Sequence, residues 1–154
     1  AVFLAERGHD VAAVDLSEVG LENAKKLAGE RGVAVTTIVA NLADFDMGES
    51  QWAGIISVWA HMPRPLRAKV HAACVEALRP GGVFVLEAYT PRQLDQPGKG
   101  GPPVEEMLMR PEDLREELEG LTFERCDEVD RDVQEGRYHV GLSATVQVLA
   151  RKPE

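Results

Sequence analysis

The sequence predicts an α/β fold built on a largely parallel sheet, and three observations carry that prediction. Short apolar runs alternate with segments whose apolar residues recur at helical spacing. The early runs are apolar throughout, as in strands buried on both faces. The last run alternates apolar and polar residues, which marks an antiparallel strand with two unlike faces. Elements in this order make a parallel sheet with right-handed crossovers, and ligands of such sheets sit at the carboxyl ends of the strands.

The elements follow in order. Residues 1–7 read as the tail of a helix that stops at Gly8. Val11 to Val14 form a strand ending at Asp15, and Ser17 caps a helix whose inner face is Leu21, Ala24, Leu27 and Ala28, stopped by Gly32. Residues 33–39 are rich in β-branched residues and strand-like, and they empty into the loop Asn41-Leu42-Ala43-Asp44-Phe45-Asp46. A third strand covers residues 54–59. Leu66, Val70, Ala73, Cys74, Ala77 and Leu78 form an amphipathic helix, which Arg79-Pro80-Gly81-Gly82 ends before a fourth strand at residues 83–89. Residues 91–105 are rich in proline and glycine and read as a mobile loop. Pro111 starts a helix with Leu114 and Leu118 inward. A hairpin closes the chain: a weak strand at 121–132, a turn at Glu135-Gly136, and a long strand at 138–150 with Val140, Leu142, Ala144, Val146 and Val148 on one face.

At 154 residues the chain has the length of one domain, and 44% hydrophobic with 28% charged residues is globular composition. Lys+Arg 17 against Asp+Glu 26 gives a net charge of -9, which disfavours nucleic acid and anionic membrane as partners and leaves small molecules or proteins. Most of the excess acid lies between Glu105 and Arg137, and a solvated face is the favoured reading of it. Cys74 and Cys126 fit neither a disulfide framework nor zinc spacing. No apolar run approaches the ~18 residues of a membrane span, and no signal peptide is seen, so a cytoplasmic setting is expected.

Candidate site residues lie at the carboxyl ends of the predicted strands. Asp15 suits a pair of ribose hydroxyls, since a carboxylate accepts from both; equally it caps the following turn. Asn41 offers an amide to an adenine edge and Leu16 and Leu42 offer flanking apolar surface, against the plainer reading of an Asx-turn with core leucines. His61 stands just past a strand end, where a general base or acceptor ligand would stand, though a structural histidine fits as well. His9, His71 and His139 show no metal-ligand spacing, so no metal site is expected. Pro97-Gly98-Lys99-Gly100-Gly101-Pro102 fails as a phosphate loop, because Lys99 is followed by glycine, and reads as a flexible lid.

Four stretches together resemble one family: residues 8–17 (Gly-His-Asp-Val-Ala-Ala-Val-Asp-Leu-Ser), residues 41–45 (Asn-Leu-Ala-Asp-Phe), residues 52–57 (Trp-Ala-Gly-Ile-Ile-Ser), and residues 78–87 (Leu-Arg-Pro-Gly-Gly-Val-Phe-Val-Leu-Glu). The chain resembles the class I S-adenosylmethionine-dependent methyltransferases, in particular the tellurite-resistance (TehB-like) branch. The resemblance implies a Rossmann-like sheet in the order 3-2-1-4-5-7-6 with strand 7 antiparallel, and S-adenosyl-L-methionine as cofactor. Asp15 would then bind the cofactor's ribose hydroxyls, and Leu16, Asn41, Leu42 and Ala43 would border its adenine. Ser57, Val58 and Trp59 would run along its methionine end, with His61 and Tyr89 near a small-molecule acceptor. No catalytic base is implied, since in-line displacement on a sulfonium rests mostly on positioning. The family's first strand and Gly-x-Gly loop would precede Ala1, so the chain reads as an N-terminally incomplete copy, a single domain expected to bind cofactor poorly or not at all alone. Two other readings stand beside this one. A nicotinamide-dependent oxidoreductase would also use an acid after its second strand, but no Tyr-x-x-x-Lys pair is present. A non-catalytic α/β binding domain is the other.

Overall fold

The computed structural model describes residues 1–154, which divide into two compact units, Ala1–Asp46 and Met47–Glu154. The first unit holds helix α1 (Val2–Ala5), strand β1 (Ala12–Asp15), helix α2 (Glu18–Glu30) and strand β2 (Thr36–Val39). β1 and β2 pair in parallel, from Ala12 opposite Thr36 to Asp15 opposite Val39. Ser17 caps α2 as expected: its Oγ accepts from the Gly20 N–H at 3.1 Å, an interaction worth about 1 kcal/mol. Leu21 and Ala28 are the buried positions of that helix. Two expected elements are shorter than predicted. α1 ends at Ala5 and runs on as a turn to Gly8, and β2 starts at Thr36, where its N–H first finds a partner, the Val11 carbonyl.

The second unit holds β3 (Trp52–Val58), α3 (Arg64–Ala77), β4 (Leu78–Tyr89), α4 (Pro111–Glu117), β5 (Thr122–Gln134) and β6 (Val140–Arg151). Its sheet runs β3-β4-β6-β5, with β3 and β4 parallel and β6 antiparallel to both of its neighbours. In the strand numbers of the resemblance this is 4-5-7-6. Phe84, Leu86 and Ala88 of β4 share one face with Ala144, Val146, Val148 and Ala150 of β6, and all are buried. The two helices pack on that face. His71 of α3 meets the Phe84 ring edge-on at 6.0 Å, and Cys126 of β5 bonds through Sγ to the Pro111 carbonyl that opens α4. Leu114 and Leu118 are completely enclosed, as the sequence predicts. The opposite face is polar, with Glu87, Gln147 and Arg131 along it.

Three expectations change. Arg79-Pro80-Gly81-Gly82 does not separate α3 from β4, because β4 already begins at Leu78, opposite Trp52. The four residues bulge out instead, and the strap is held by Gly81 N–H to Lys152 O at 3.0 Å and Lys152 N–H to Gly82 O at 2.9 Å. Leu142, expected inside, is exposed; it pairs with Asp132 near the hairpin tip. Residues 91–105 are not a free lid. Lys99 exchanges both backbone hydrogen bonds with Val140, Gly98 N–H reaches Leu142 O, and the buried Gln93 side chain accepts from the Ala144 N–H. The glycines follow from this close packing, since a Cβ on Gly98 would lie 2.2 Å from Leu142 O and one on Gly100 2.0 Å from the Tyr89 hydroxyl. No helix is long and apolar enough to cross a membrane.

Gly98→Ala therefore places a methyl group against backbone that cannot yield, and a loss of about 1–3 kcal/mol in chemical denaturation is expected. Gly136→Ala is the control. A Cβ there has nothing within 4 Å, so only the positive φ opposes it, at a cost of about 1 kcal/mol or less. Equal losses in the two variants would show that the 97–101 segment is not packed as described.

Candidate functional site

In the first unit the carboxyl ends of β1 and β2 lie side by side, because the strands are parallel and adjacent. Asp15 closes β1 and Asn41 stands two residues past the end of β2. Both side chains make an Asx-turn: Asp15 Oδ1 accepts from the Ser17 N–H at 2.8 Å, and Asn41 Oδ1 from the Ala43 N–H at 3.0 Å. The plainer readings are thus realised, yet they use one oxygen of each group. Both residues are exposed, and the second Asp15 oxygen and the Asn41 amide nitrogen have no partner in the chain. Leu16, 69% exposed, and Val39, 57% exposed, add apolar surface at these strand ends, with Leu42 and Ala43 half-buried. A carboxylate, a free amide and exposed apolar side chains together suit the hydroxyls, edge and face of an adenosine group.

The second unit has its own strand-end assembly. Ser57 and Val58 close β3 on opposite faces of the sheet, Ser57 beside Leu86 and Val58 beside Glu87. Trp59 follows at φ 56°, a left-handed conformation that costs a bulky residue roughly 1–3 kcal/mol. Its surroundings hold it there. The Trp59 N–H donates to Glu87 O at 3.0 Å, its indole Nε1–H donates to Glu135 at 2.8 Å, and its ring stacks on Tyr89 at 4.4 Å and on His139 at 5.2 Å. Arg131, bonded to both Glu87 and Glu135, keeps the Glu135 carboxyl below its ordinary pKa and hence ionised.

His61 is committed at both nitrogens. Its Nε2 accepts from the Tyr89 N–H at 3.3 Å, which leaves Nδ1 to carry the proton and donate to the Met107 carbonyl at 2.9 Å. Burial holds its pKa below the ordinary value, and the positive charge of Arg67 and the nearby His139 act in the same direction. A neutral imidazole whose lone pair is already occupied is a bracket between β3, β4 and the 107–109 segment. Tyr89 is equally enclosed: it is fully buried, its hydroxyl shares a 2.9 Å hydrogen bond with His139 Nδ1, and burial raises its pKa. It stands beneath Trp59 as support.

Residues that the sequence reading passed over complete the assembly. Arg67 and His71 are buried on α3, and Glu117 at the end of α4 binds both. The signal was present: positions 67, 70, 71, 74 and 77 are the inward spacing of that helix, and two of the five are basic. Glu135 and His139 carried no such signal, since only the hairpin brings them to the end of β3, where the pairing of β4 with β3 places Glu87.

The profile of the methyltransferase domain family matches residues 1–82, more than half of the chain. The chain belongs to this methyltransferase domain family. Among curated proteins, the 2-heptyl-1-hydroxyquinolin-4(1H)-one methyltransferase of Mycobacteroides abscessus is 30% identical over 113 residues, 71% of this chain and 50% of that protein. The chain thus spans about half the length of the curated relative it matches. Several solved structures share the methyltransferase fold. TehB from Haemophilus influenzae aligns at TM-score 0.76 and 15% identity, over 99% of this chain and 53% of that one. The N-methyltransferase NodS of Bradyrhizobium japonicum, in complex with S-adenosyl-L-homocysteine, aligns at TM-score 0.64 and 15% identity, over 94% of this chain and 67% of that one.

The charge states of His61 and Glu117 set two acid limits on this methyltransferase-family chain. Both pKa values lie below their ordinary ones, so each group stabilises the fold above its ordinary pKa and ceases to as pH falls through its folded value. The thermal midpoint is expected to fall first below about pH 6.5, where the unfolded chain takes up a proton that folded His61 still refuses, and again below about pH 4.5, where the same holds for Glu117. In His61→Asn, which has no ring to protonate, the first fall should vanish and the second remain; persistence of the first would remove His61 as its source.

Proposed function

We propose that the chain serves methyl transfer from S-adenosylmethionine to a small planar acceptor. The observation that carries this reading is the exposed, half-used carboxylate of Asp15 at the end of β1, with the Asn41 amide at the end of the neighbouring parallel strand. The family membership supports the reaction class, and the bound S-adenosyl-L-homocysteine in the NodS structure supports the cofactor. In the first unit, Asp15, Leu16, Asn41, Leu42 and Ala43 are the residues to hold the adenosine group. In the second, Ser57, Val58 and Trp59 are the residues for the cofactor's methionine end and the acceptor beside it, with His61 and Tyr89, expected near the acceptor, behind them as support. The family match runs through the boundary between the two units, which supports reading them as parts of one domain.

S-adenosylmethionine supplies, when bound, an electrophilic methyl group on a sulfonium. The chain's own contribution is placement. His61 has no free lone pair with which to take a proton from an acceptor, and the Glu135 carboxylate is engaged by Arg131 and Trp59. The acceptor must therefore bring a nucleophile already ionised or uncharged and reactive, such as an acidic N-hydroxyl or a thiolate. The half-buried Trp59 ring offers a flat surface for a heteroaromatic acceptor. That the curated relative is named for a hydroxyquinolone supports this choice. The tellurite-resistance reading rests on the Asn-Leu-Ala-Asp-Phe stretch and the likeness to TehB, and makes tellurite the second acceptor to try.

Calorimetric titration with S-adenosylhomocysteine tests the reading, on this chain and on one carrying a strand and Gly-x-Gly loop ahead of Ala1. The longer version is expected to bind, and Asp15→Ala in it to weaken binding roughly 10- to 150-fold, the worth of a charge-assisted hydrogen bond pair. NADH should give no heat. Binding of NADH without S-adenosylhomocysteine, or unchanged affinity in Asp15→Ala, would overturn the assignment.

A further inference from the structure

Three consecutive residues between the two last helices are anchored to three different elements. The Met107 carbonyl accepts from His61 Nδ1–H at 2.9 Å. The Leu108 carbonyl accepts from Arg67 Nη1–H at 3.1 Å. The Met109 N–H donates to the Tyr89 carbonyl at 3.0 Å. The first and third anchors lie on the residues that back Trp59, and the middle one lies on α3.

The middle anchor is an ion. Arg67 is 1% exposed and binds the Glu117 carboxylate through two nitrogens, Nε to Oε2 at 2.9 Å and Nη2 to Oε1 at 2.7 Å. Asp113 stands 3.6 Å from Nη2, and His71 Nδ1–H donates to Glu117 Oε2 at 2.8 Å. Glu117 stays ionised against the cost of burial because His71 and Arg67 both bond to it. A buried ion pair is weak evidence for stability, since apolar side chains of the same size commonly replace one without loss. What they cannot replace is a donor to the Leu108 carbonyl. The fork geometry of a guanidinium allows one side chain to bind a carboxylate along one edge and a carbonyl from the remaining nitrogen.

We propose that Arg67 is a positioning residue for the acceptor end: held by Glu117, it fixes Leu108 and thereby sets His61 and Tyr89 beneath Trp59. Its consequence for turnover rests on the methyl-transfer reading, whereas its structural content does not. Arg67 touches no reacting atom; it acts through the 107–109 segment, and its charge separately lowers the His61 pKa.

The test reads His61 directly, by long-range proton–nitrogen NMR of the 154-residue chain. In the native chain the ring should be the Nδ1–H tautomer and should protonate below the ordinary histidine value. Arg67→Met/Glu117→Gln removes both charges together and leaves His71 an acceptor. In it, His61 should become a mixture of tautomers and the Met109 amide should exchange faster while the amides of central β6 keep their rates; a higher His61 titration midpoint alone would report only the lost Arg67 charge. Arg67→Lys, which keeps the charge but replaces the fork by one nitrogen, should move the same signals less, and it decides the matter if the double variant does not fold. An unchanged His61 tautomer and unchanged Met109 exchange in the folded variants would overturn the proposal, leaving Arg67 a packing residue. A parallel assay on the version carrying a strand and Gly-x-Gly loop ahead of Ala1, with 2-heptyl-1-hydroxyquinolin-4(1H)-one and tellurite as acceptor probes, should show a raised acceptor KM in the variants and an unaltered KM for S-adenosylmethionine. Absence of turnover in that version without substitutions, with both probes, would count against the methyl-transfer reading, while the NMR result would still decide the role of Arg67.

Discussion

β6 is the strand on which the second unit depends. It lies between β4 and β5 and is hydrogen-bonded along both edges, antiparallel to each. The alternation of its side chains then does two jobs. Ala144, Val146, Val148 and Ala150 fill the helix-covered face, while Ser143 and Thr145 are buried on the other and satisfy their hydroxyls on the Gly141 and Val129 carbonyls. Beyond the strand, Lys152 bonds to the Val75, Glu76 and Leu78 carbonyls, placing a cation where the negative end of the α3 dipole collects. At its other end β6 pairs with Lys99 and carries His139 to Tyr89. Removing this strand would leave β4 with one partner and Trp59 without its stack on His139.

The two units present their strand ends by different means. In the first, short Asx-turns at Asp15 and Asn41 aim polar side chains outward and leave half of each group's bonding capacity in solvent. Such turns are cheap and local, because each closes over two residues. The second unit uses long-range contacts, of which the last two are withdrawn from solvent: Trp59 to Glu135 spans 76 positions, Arg67 to Glu117 spans 50 and His61 to Met107 spans 46. Contacts of that kind fix a surface more firmly than turns do, at the cost of burying charge. Breaking one side of the Arg67–Glu117 pair would leave an uncompensated ion and cost about 3–5 kcal/mol. This is why the pair carries a positional constraint so readily: apart, Arg67 would keep only Leu108 and the more distant Asp113, and Glu117 only His71.

The same division explains what could be read from the sequence. Elements set by local pattern were legible: the apolar run before Asp15, the Ser17 cap, the Pro111 start with Leu114 and Leu118 inward, and the alternating last strand. So were the strand-end positions of the candidates Asp15 and Asn41, since order along the chain places both at carboxyl ends. What failed was set by tertiary pairing. The bulge at Arg79–Gly82 looks like a stop because proline and glycine end helices, but Lys152, about seventy positions on, supplies the bonds that carry the chain past it. The 91–105 segment looks mobile by composition. Its glycines are in fact there because backbone and the Tyr89 ring press against them. His61 looked like a candidate base because its partners, a carbonyl and an amide N–H, leave no trace in side-chain patterning.

The fate of His61 constrains chemistry more than its loss as a base suggests. A residue able to take a proton must exchange its hydrogen bonds during turnover. His61 cannot do so without releasing both Met107 and Tyr89, and protonation would set its Nε2–H against the Tyr89 N–H that now donates to it. The second unit thus arranges its strand end with the imidazole as a fixed neutral link, and the strain of Trp59 at φ 56° is sustained by bonds that do not titrate near neutral pH: a backbone carbonyl, a carboxylate below its ordinary range and an aromatic stack. On the proposed reading, reactivity resides in the two small molecules and the protein selects by shape. A surface so built would discriminate acceptors by planarity and by the acidity of their own nucleophile, and its rate would follow the ionisation of the acceptor rather than of any side chain beneath it.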